Sequence, residues 1–400
     1  MRTKVPAALV LGTAVLCWLA TATVGARDYS DLTEIEPESL PSETPAAAWL
    51  PAAETAVRDF PMSAGRAARL ATLQMRHLRE TADEAVLDDV ERLLRRSVEL
   101  QPGDASLELQ LAGALNAQHP FADAIAIAEN TDAGDSSAGP GVVLFDAYVG
   151  IGRYGDAIAV LETLEGNDDP AVLARRGQMA ELVGDDDIAF GLLVRAARQA
   201  RNSYQSRQHV AWYLYRLGEF NRVRDQLELA GEFVDAALRL APESLPAAVA
   251  RARIARVTDA PARALQRWAE IAERMPHPEI LAELGDLYDA AGQPDRAKEA
   301  WAEALRVGAE AGAAEDRPMA RLLADRGWNP DEALMRARRD LTHRQDIEAW
   351  DTLAWAAYRA GELEEAAAAS EKALSLGTRR ADFLEHAALI EEAIADKATP

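Results

Sequence analysis

Six histidines (His77, His119, His209, His277, His343 and His386) are the first residues whose type could ligate a metal or carry a proton. They lie far apart, with no HExxH or comparable ligand spacing, so the sequence predicts no metal site. Gly150-Ile151-Gly152-Arg153-Tyr154-Gly155 matches the GxGxxG of a dinucleotide-binding turn. That chemistry needs a strand before the turn and a helix N-terminus after it, so that backbone N–H groups meet a pyrophosphate. Here one helical pattern ends at Tyr148 and another starts at Asp156, so the motif reads as a turn between two helices. Asp185-Asp186-Asp187 and Asp168-Asp169 lack the spaced oxygens and turn glycine of a calcium loop. Each opens a helix, where a carboxylate meets the positive end of the backbone dipole. Cys17 is the only cysteine, there is no GxSxG elbow, and carboxylates such as Glu362, Glu364 and Glu365 fall on solvent-facing helical positions. The sequence therefore predicts no enzyme, no catalytic residue and no cofactor.

The elements that carry these residues follow from size and charge. At 400 residues the chain exceeds the length at which one hydrophobic core stops growing, so it holds several domains or a repeat array. It is 49% hydrophobic, only 6% aromatic and rich in alanine, the best helix former. Its net charge of -23 repels phosphate backbones, so nucleic acid is not an expected partner. Arg2 and Lys4 precede the apolar stretch Val5 to Leu19, and Val24-Gly25-Ala26 places small or modest residues before Arg27. This order predicts a signal peptide over residues 1–26 and an exported protein, periplasmic or extracellular. Val5 to Ala26 is also long enough to cross a bilayer, and an uncleaved anchor is the alternative. A lipid anchor fits poorly, because bulky Leu16 precedes Cys17. Residues 27–62 carry Pro37, Pro41, Pro45, Pro51 and Pro61 among acidic and hydroxyl residues, and read as a disordered, solvated linker.

Residues 63–400 repeat. Counted in units of about 34 residues, the boundaries fall at 71–104, 105–137, 138–169, 170–210, 211–244, 245–277, 278–313, 314–346 and 347–380, with residues 381–400 as a cap. Position 20 is alanine in eight of the nine units: Ala124, Ala157, Ala189, Ala230, Ala264, Ala297, Ala333 and Ala366, with Val90 in the first. Position 8 is small in six: Ala112, Gly177, Gly218, Ala252, Gly285 and Ala354. Pro102, Pro242 and Pro276 stand at position 32, where one helix stops before the next. Two helices joined by a short turn bury only part of their apolar faces, and the next pair covers the remainder. In this pattern the chain resembles the tetratricopeptide repeat (TPR) family, in the form of a bacterial exported array. The resemblance implies an all-α solenoid, a right-handed superhelix of about nine helical hairpins plus a C-terminal capping helix. Each unit is then expected to touch mainly its neighbours, giving an elongated array. Residues 170–210 exceed a unit, which predicts a longer second helix or loop near Arg201 to Ser206, and Arg317 and Arg321 sit at nominal core positions of 314–346.

The resemblance also implies a function. In TPR arrays the first helices line a concave groove that receives a protein or peptide segment. The positions that face it here are Trp212, Tyr215, Arg222, Arg253, Arg256, Asp286, Asp289, Asp351, Trp355, Tyr358 and Arg359. Aromatic and arginine side chains are the types that anchor interfaces. The row is basic, then acidic, then aromatic, so the expected partner is a segment of mixed charge. The lysine and asparagine clamp for a C-terminal carboxylate is absent. The expected role is a non-catalytic binding scaffold in the cell envelope or outside it, the alternative being a membrane-anchored assembly factor. A membrane contact is expected only if residues 1–26 stay attached.

Overall fold

Alanine and leucine at helical spacing, punctuated by glycine, aspartate and proline, produce an all-α chain. The computed structural model describes residues 29–81, 83–134, 138–259, 261–310 and 312–398. Residues 1–26, expected to be a signal peptide or anchor, with Cys17 among them, lie outside the described residues. Among the described residues there is no strand, and no helix is long and apolar enough to cross a membrane.

Among the described residues, nine helical hairpins follow one another. Hairpin 1 pairs Ala64–Thr81 with Leu87–Leu100, hairpin 2 Ala105–Gln118 with Phe121–Asn130, and hairpin 3 Gly139–Gly150 with Tyr154–Thr163. Hairpin 4 pairs Pro170–Leu182 with Asp186–Asn202, hairpin 5 Arg207–Arg222 with Leu227–Leu240, and hairpin 6 Leu245–Thr258 with Pro261–Arg274. Hairpin 7 pairs Pro278–Ala290 with Pro294–Glu310, hairpin 8 Asp316–Arg326 with Pro330–Asp340, and hairpin 9 Ile347–Arg359 with Leu363–Ala373. A capping helix, Ala381–Ala398, closes the row.

Capping sets the starts. Asp104, Asp169, Ser206 and Asp346 each accept a backbone N–H from the first turn of the helix they precede. Proline opens the second helix of hairpin 8 and both helices of hairpin 7, where its missing N–H costs nothing. The repeated alanines are at most 1% exposed, from Ala124 through Ala366, because the two helices of each hairpin touch there. Gly218 and Gly285 serve the same approach. A Cβ on Gly285 would lie 2.3 Å from Nε1 of Trp301. The extra length of residues 170–210 is a longer second helix, Asp186–Asn202.

The row does not stay elongated. Its path winds back on itself, so that hairpin 2 meets hairpin 8 and hairpin 3 meets hairpin 9. Nη1 of Arg344, just after hairpin 8, stands 3.1 Å from Nε2 of His119. The Gln345 N–H donates to the Gly150 carbonyl at 2.8 Å, and the Ile347 N–H to the Tyr154 hydroxyl at 2.8 Å. Tyr154, Leu182 and Leu376 pack against buried Ile347, Ala373 and Phe383. The turn glycines make this closeness possible. Gly152 has φ +72°, and a Cβ there would meet the Gln345 carbonyl oxygen at 2.5 Å; Gly184, at φ +80°, would meet that of Gly377 at 2.5 Å. The elongated array in which units touch only their neighbours is thus replaced by stacked superhelical turns.

The second correction concerns residues 27–62. Their described part, 29–62, is folded onto the array. Leu32 is fully buried, and Ile35, Leu40 and Ala46 are buried with it. Tyr29 packs edge-on against Phe190 with ring centroids 5.4 Å apart. Leu50, Ala53 and Val57, on the helix Leu50–Asp59, pack on hairpin 1. The prolines limit helix length without preventing docking, because the apolar residues between them reach prepared surfaces.

Candidate functional site

The GxGxxG segment joins the two helices of hairpin 3, with no strand before it among the described residues. Its turn faces Gln345. Asp169 caps a helix, and Asp186 and Asp187 lie in the first turn of another. Among the described residues no group of three or more His, Cys, Asp or Glu side chains could hold a metal ion. Several histidines are tied into pairs instead. His277 Nε2 stands 3.1 Å from Glu315, and His386 Nδ1 3.0 Å from Asp351.

The expected groove residues separate into three groups. Two are withdrawn from the surface. Asp351 is 1% exposed and accepts from His386 and, at 3.3 Å, from Arg321. Trp355 is 8% exposed, and its Nε1 donates to Asp325 at 2.8 Å. Its ring is stacked on His386 (centroids 4.3 Å apart) and on Tyr358 (5.2 Å). These two side chains join hairpin 9 to the capping helix and hairpin 8, so the expectation that they anchor a partner is corrected. Arg359 lies over the same ring at 5.4 Å.

The second group is exposed in part but neutralised. Arg222 forms a two-pronged pair with Glu219 at 2.8 and 3.0 Å. Arg253 pairs with Glu279 at 3.2 Å and Arg256 with Glu283 at 2.6 Å, each acid lying on the first helix of the next hairpin. Asp286 accepts from Trp301 at 3.0 Å and Arg326 at 2.6 Å. The basic stretch read from the sequence is therefore a ladder of ion pairs, and only Asp289 of the acidic stretch stands exposed without a partner among the described residues. Arg317 and Arg321 belong to a similar ladder. Arg317 reaches Asp340 at 3.0 Å and Asp346 at 2.8 Å, and Arg321 reaches Asp382 at 2.7 Å. That ladder explains how two arginines occupy nominal core positions of hairpin 8.

The third group, Trp212 and Tyr215, lines a crevice of about 460 Å³. Its floor is the first helix of hairpin 5, with Gln208, His209, Trp212, Tyr213 and Tyr215. One wall is Arg175 on hairpin 4, another is Arg76, Arg79 and Glu80 on hairpin 1, and Glu43 closes the rim. Trp212 is 43% exposed and meets Tyr213 edge-on at 4.9 Å. Burial pushes the Tyr213 hydroxyl up to about 12, so both tyrosines stay neutral donors at physiological pH. Arg175 is held by Asp146 at 2.9 Å, and Arg76 by Glu43 at 3.2 Å and Glu80 at 3.3 Å. Arg79 makes no hydrogen bond or ion pair within the described residues and keeps an exposed face; the packing around its head lowers its pKa, and the nearby charges of Glu43 and Glu80 oppose that. The sequence reading missed Arg79 because hairpin 1 reaches hairpin 5 only through the winding of the chain, and Arg175 because it lies on hairpin 4, before the units read as lining the groove. Their types were the available signal: arginines on first helices.

No protein-family model matches the chain, and no curated protein matches it. Among solved structures, the chain is similar to the crystal structure of yeast Tom70, at 14% identity over 88% of this chain and 85% of that one, with a TM-score of 0.35. It is also similar to YrrB, described as a TPR protein with an unusual peptide-binding site, at 18% identity over 50% of this chain and 97% of that one, with a TM-score of 0.28.

Proposed function

We propose that this chain is a non-catalytic scaffold that takes a segment of another protein into the crevice between hairpins 1, 4 and 5. The observation that carries the reading is an exposed Trp212 that lines, with Arg79, a cavity of about 460 Å³, where Arg79 makes no hydrogen bond or ion pair among the described residues. Elsewhere the arginines of the first helices are mostly matched by acids, and the other candidate anchor, Trp355, is packed away. Desolvated tryptophan and arginine carry a large share of binding energy at protein interfaces. The segment would place an apolar side chain against Trp212 and a carboxylate on Arg79. Capture of partners from the native source by the full-length protein tests this, with Trp212→Ala and Arg79→Ala as controls. Loss of the same partner in both variants, with helical content unchanged, is expected. Undiminished capture by the double variant would move the site elsewhere.

The setting we propose is the cell envelope or the exterior, reached through residues 1–26. The support is the order of positive, apolar and small residues there. N-terminal sequencing of the native protein distinguishes a start near Arg27 from an intact Met1, which would favour the anchored alternative.

A further inference from the structure

Residues 41–45 cross the rim of the crevice without helix or strand and run into the short 3-10 turn Ala46–Ala48, and they are held there mainly by their backbone. The Arg207 N–H donates to the Pro41 carbonyl at 2.8 Å. The Gln208 side-chain amide holds both backbone groups of one residue: it accepts the Glu43 N–H at 3.2 Å and donates to the Glu43 carbonyl at 3.0 Å. Arg76 donates to the Thr44 carbonyl at 2.6 Å, and the Glu80 carboxylate accepts the Ala46 N–H at 3.0 Å. The partners stand on hairpins 1 and 5, far apart in sequence. Of the segment's own side chains only Ala46 is buried; Pro41, Ser42, Thr44 and Pro45 are exposed. Glu43 alone reaches a charged partner, Arg76 at 3.2 Å; it also stands 3.8 Å from His209, whose protonation burial disfavours.

A segment belonging to the core would bury its side chains and satisfy its backbone by secondary structure. Here polar side chains are devoted to the backbone of an otherwise exposed stretch. Recognition of extended peptides works this way, with main-chain hydrogen bonds giving affinity and one or two pockets giving specificity. We propose that Arg76, Glu80 and Gln208 form a peptide-binding track, that residues 41–46 occupy it in cis, and that the partner's segment replaces them. The replacing segment is non-helical up to the place of Pro45, carries a carboxylate at the place of Glu43, and starts a tight turn with a small residue three positions later, at the place of Ala46. This inference rests on the reading that the crevice takes a protein segment, since Glu43, Arg76, Glu80 and Gln208 also line it.

The segment itself is the probe. A fluorescein-labelled peptide spanning residues 38–48 is titrated by anisotropy into the full chain and into a chain carrying Pro41→Gly, Glu43→Gly and Pro45→Gly. The triple variant keeps Leu32, Ile35 and Leu40, which dock the chain that precedes residues 41–46, the strap over the track. If the strap covers the track about nine-tenths of the time, releasing it strengthens apparent binding about ten-fold. Adding Gln208→Ala to the loosened chain is expected to abolish the gain. Equal binding to both chains, or none to either, would overturn the proposal. Hydrogen exchange on the unaltered chain is the second measurement. The amides of Glu43 and Ala46 are expected to open well before the array unfolds; exchange only through global unfolding would make the strap part of the core and refute exchangeability. If the peptide fails while Trp212→Ala still costs partner capture, the track is refuted and the crevice reading stands. If both fail, both are refuted.

Discussion

The stacking of superhelical turns can be tested with four glycines that have the same local conformation and different surroundings. Gly152, Gly184, Gly292 and Gly361 each sit in the turn of a hairpin with φ between +71° and +83°. An alanine at any of them carries the left-handed penalty, roughly 1–2 kcal/mol. Each substitution also reduces the freedom of the unfolded chain, by about 0.4–1 kcal/mol in the opposite direction, and this cancels among the four. The surroundings do not cancel. A Cβ at Gly292 or Gly361 meets nothing within 4 Å. At Gly152 and Gly184 it lies 2.5 Å from a backbone carbonyl oxygen of the following turn. A backbone oxygen cannot rotate aside, so the two turns must separate, adding roughly 1–3 kcal/mol as overpacking does elsewhere. Relief at Gly152 also strains the Gln345–Gly150 and Ile347–Tyr154 hydrogen bonds, both 2.8 Å. Urea denaturation of Gly152→Ala and Gly184→Ala should therefore show clearly larger losses than Gly292→Ala and Gly361→Ala. Small-angle scattering should show a larger radius of gyration for the first pair alone. Equal losses and identical scattering in all four would mean that the turns do not touch in solution.

Four further outcomes follow from contacts described above. Burial, with Arg344 and Arg317 nearby, lowers His119 to about 4, so the unfolded chain takes up its proton first; stability should fall between about pH 6.5 and 4, by at most about 3 kcal/mol, and a pH series on His119→Asn should lack that component. His277 behaves in the opposite sense, because the hydrogen bond and charge of Glu315 outweigh its burial and raise it; its contribution is complete below about pH 6.5 and is lost as pH rises through the folded value, which titration by NMR can follow. Trp355→Ala should cost about 3–5 kcal/mol of stability in thermal or urea unfolding, as for a packed aromatic, whereas an unchanged midpoint would return Trp355 to the list of exposed anchors. Deleting residues 347–400 should expose Tyr154, Leu182 and Val183 as well as hairpin 8, so new proteolytic cuts are expected in hairpins 3 and 4; cuts confined to hairpin 8 would contradict the stacked turns.

The all-α fold and its hairpins were legible in the residues because the packing that makes a hairpin is local. Ala297 and Gly285 must be small whatever the rest of the chain does, since their helices touch within one unit. The ion-pair ladder was legible in principle: Arg253 and Glu279 lie 26 residues apart and Arg256 and Glu283 27, each pair on successive first helices. Trp212 and Tyr215 could be placed on a first helix for the same reason. The strap and the stacked turns could not be read in this way. Where hairpin 3 meets hairpin 9 depends on a small rotation at every step between them, and the period of the sequence does not encode that angle. The same summation brings Arg79 into one crevice with Trp212 and gives the proline-rich segment a surface to lie on. It is also why Asp351 and Trp355, at groove-like register positions, end up against His386 of the cap: burial is decided by what the whole chain brings close, and residue type records only what each position tolerates.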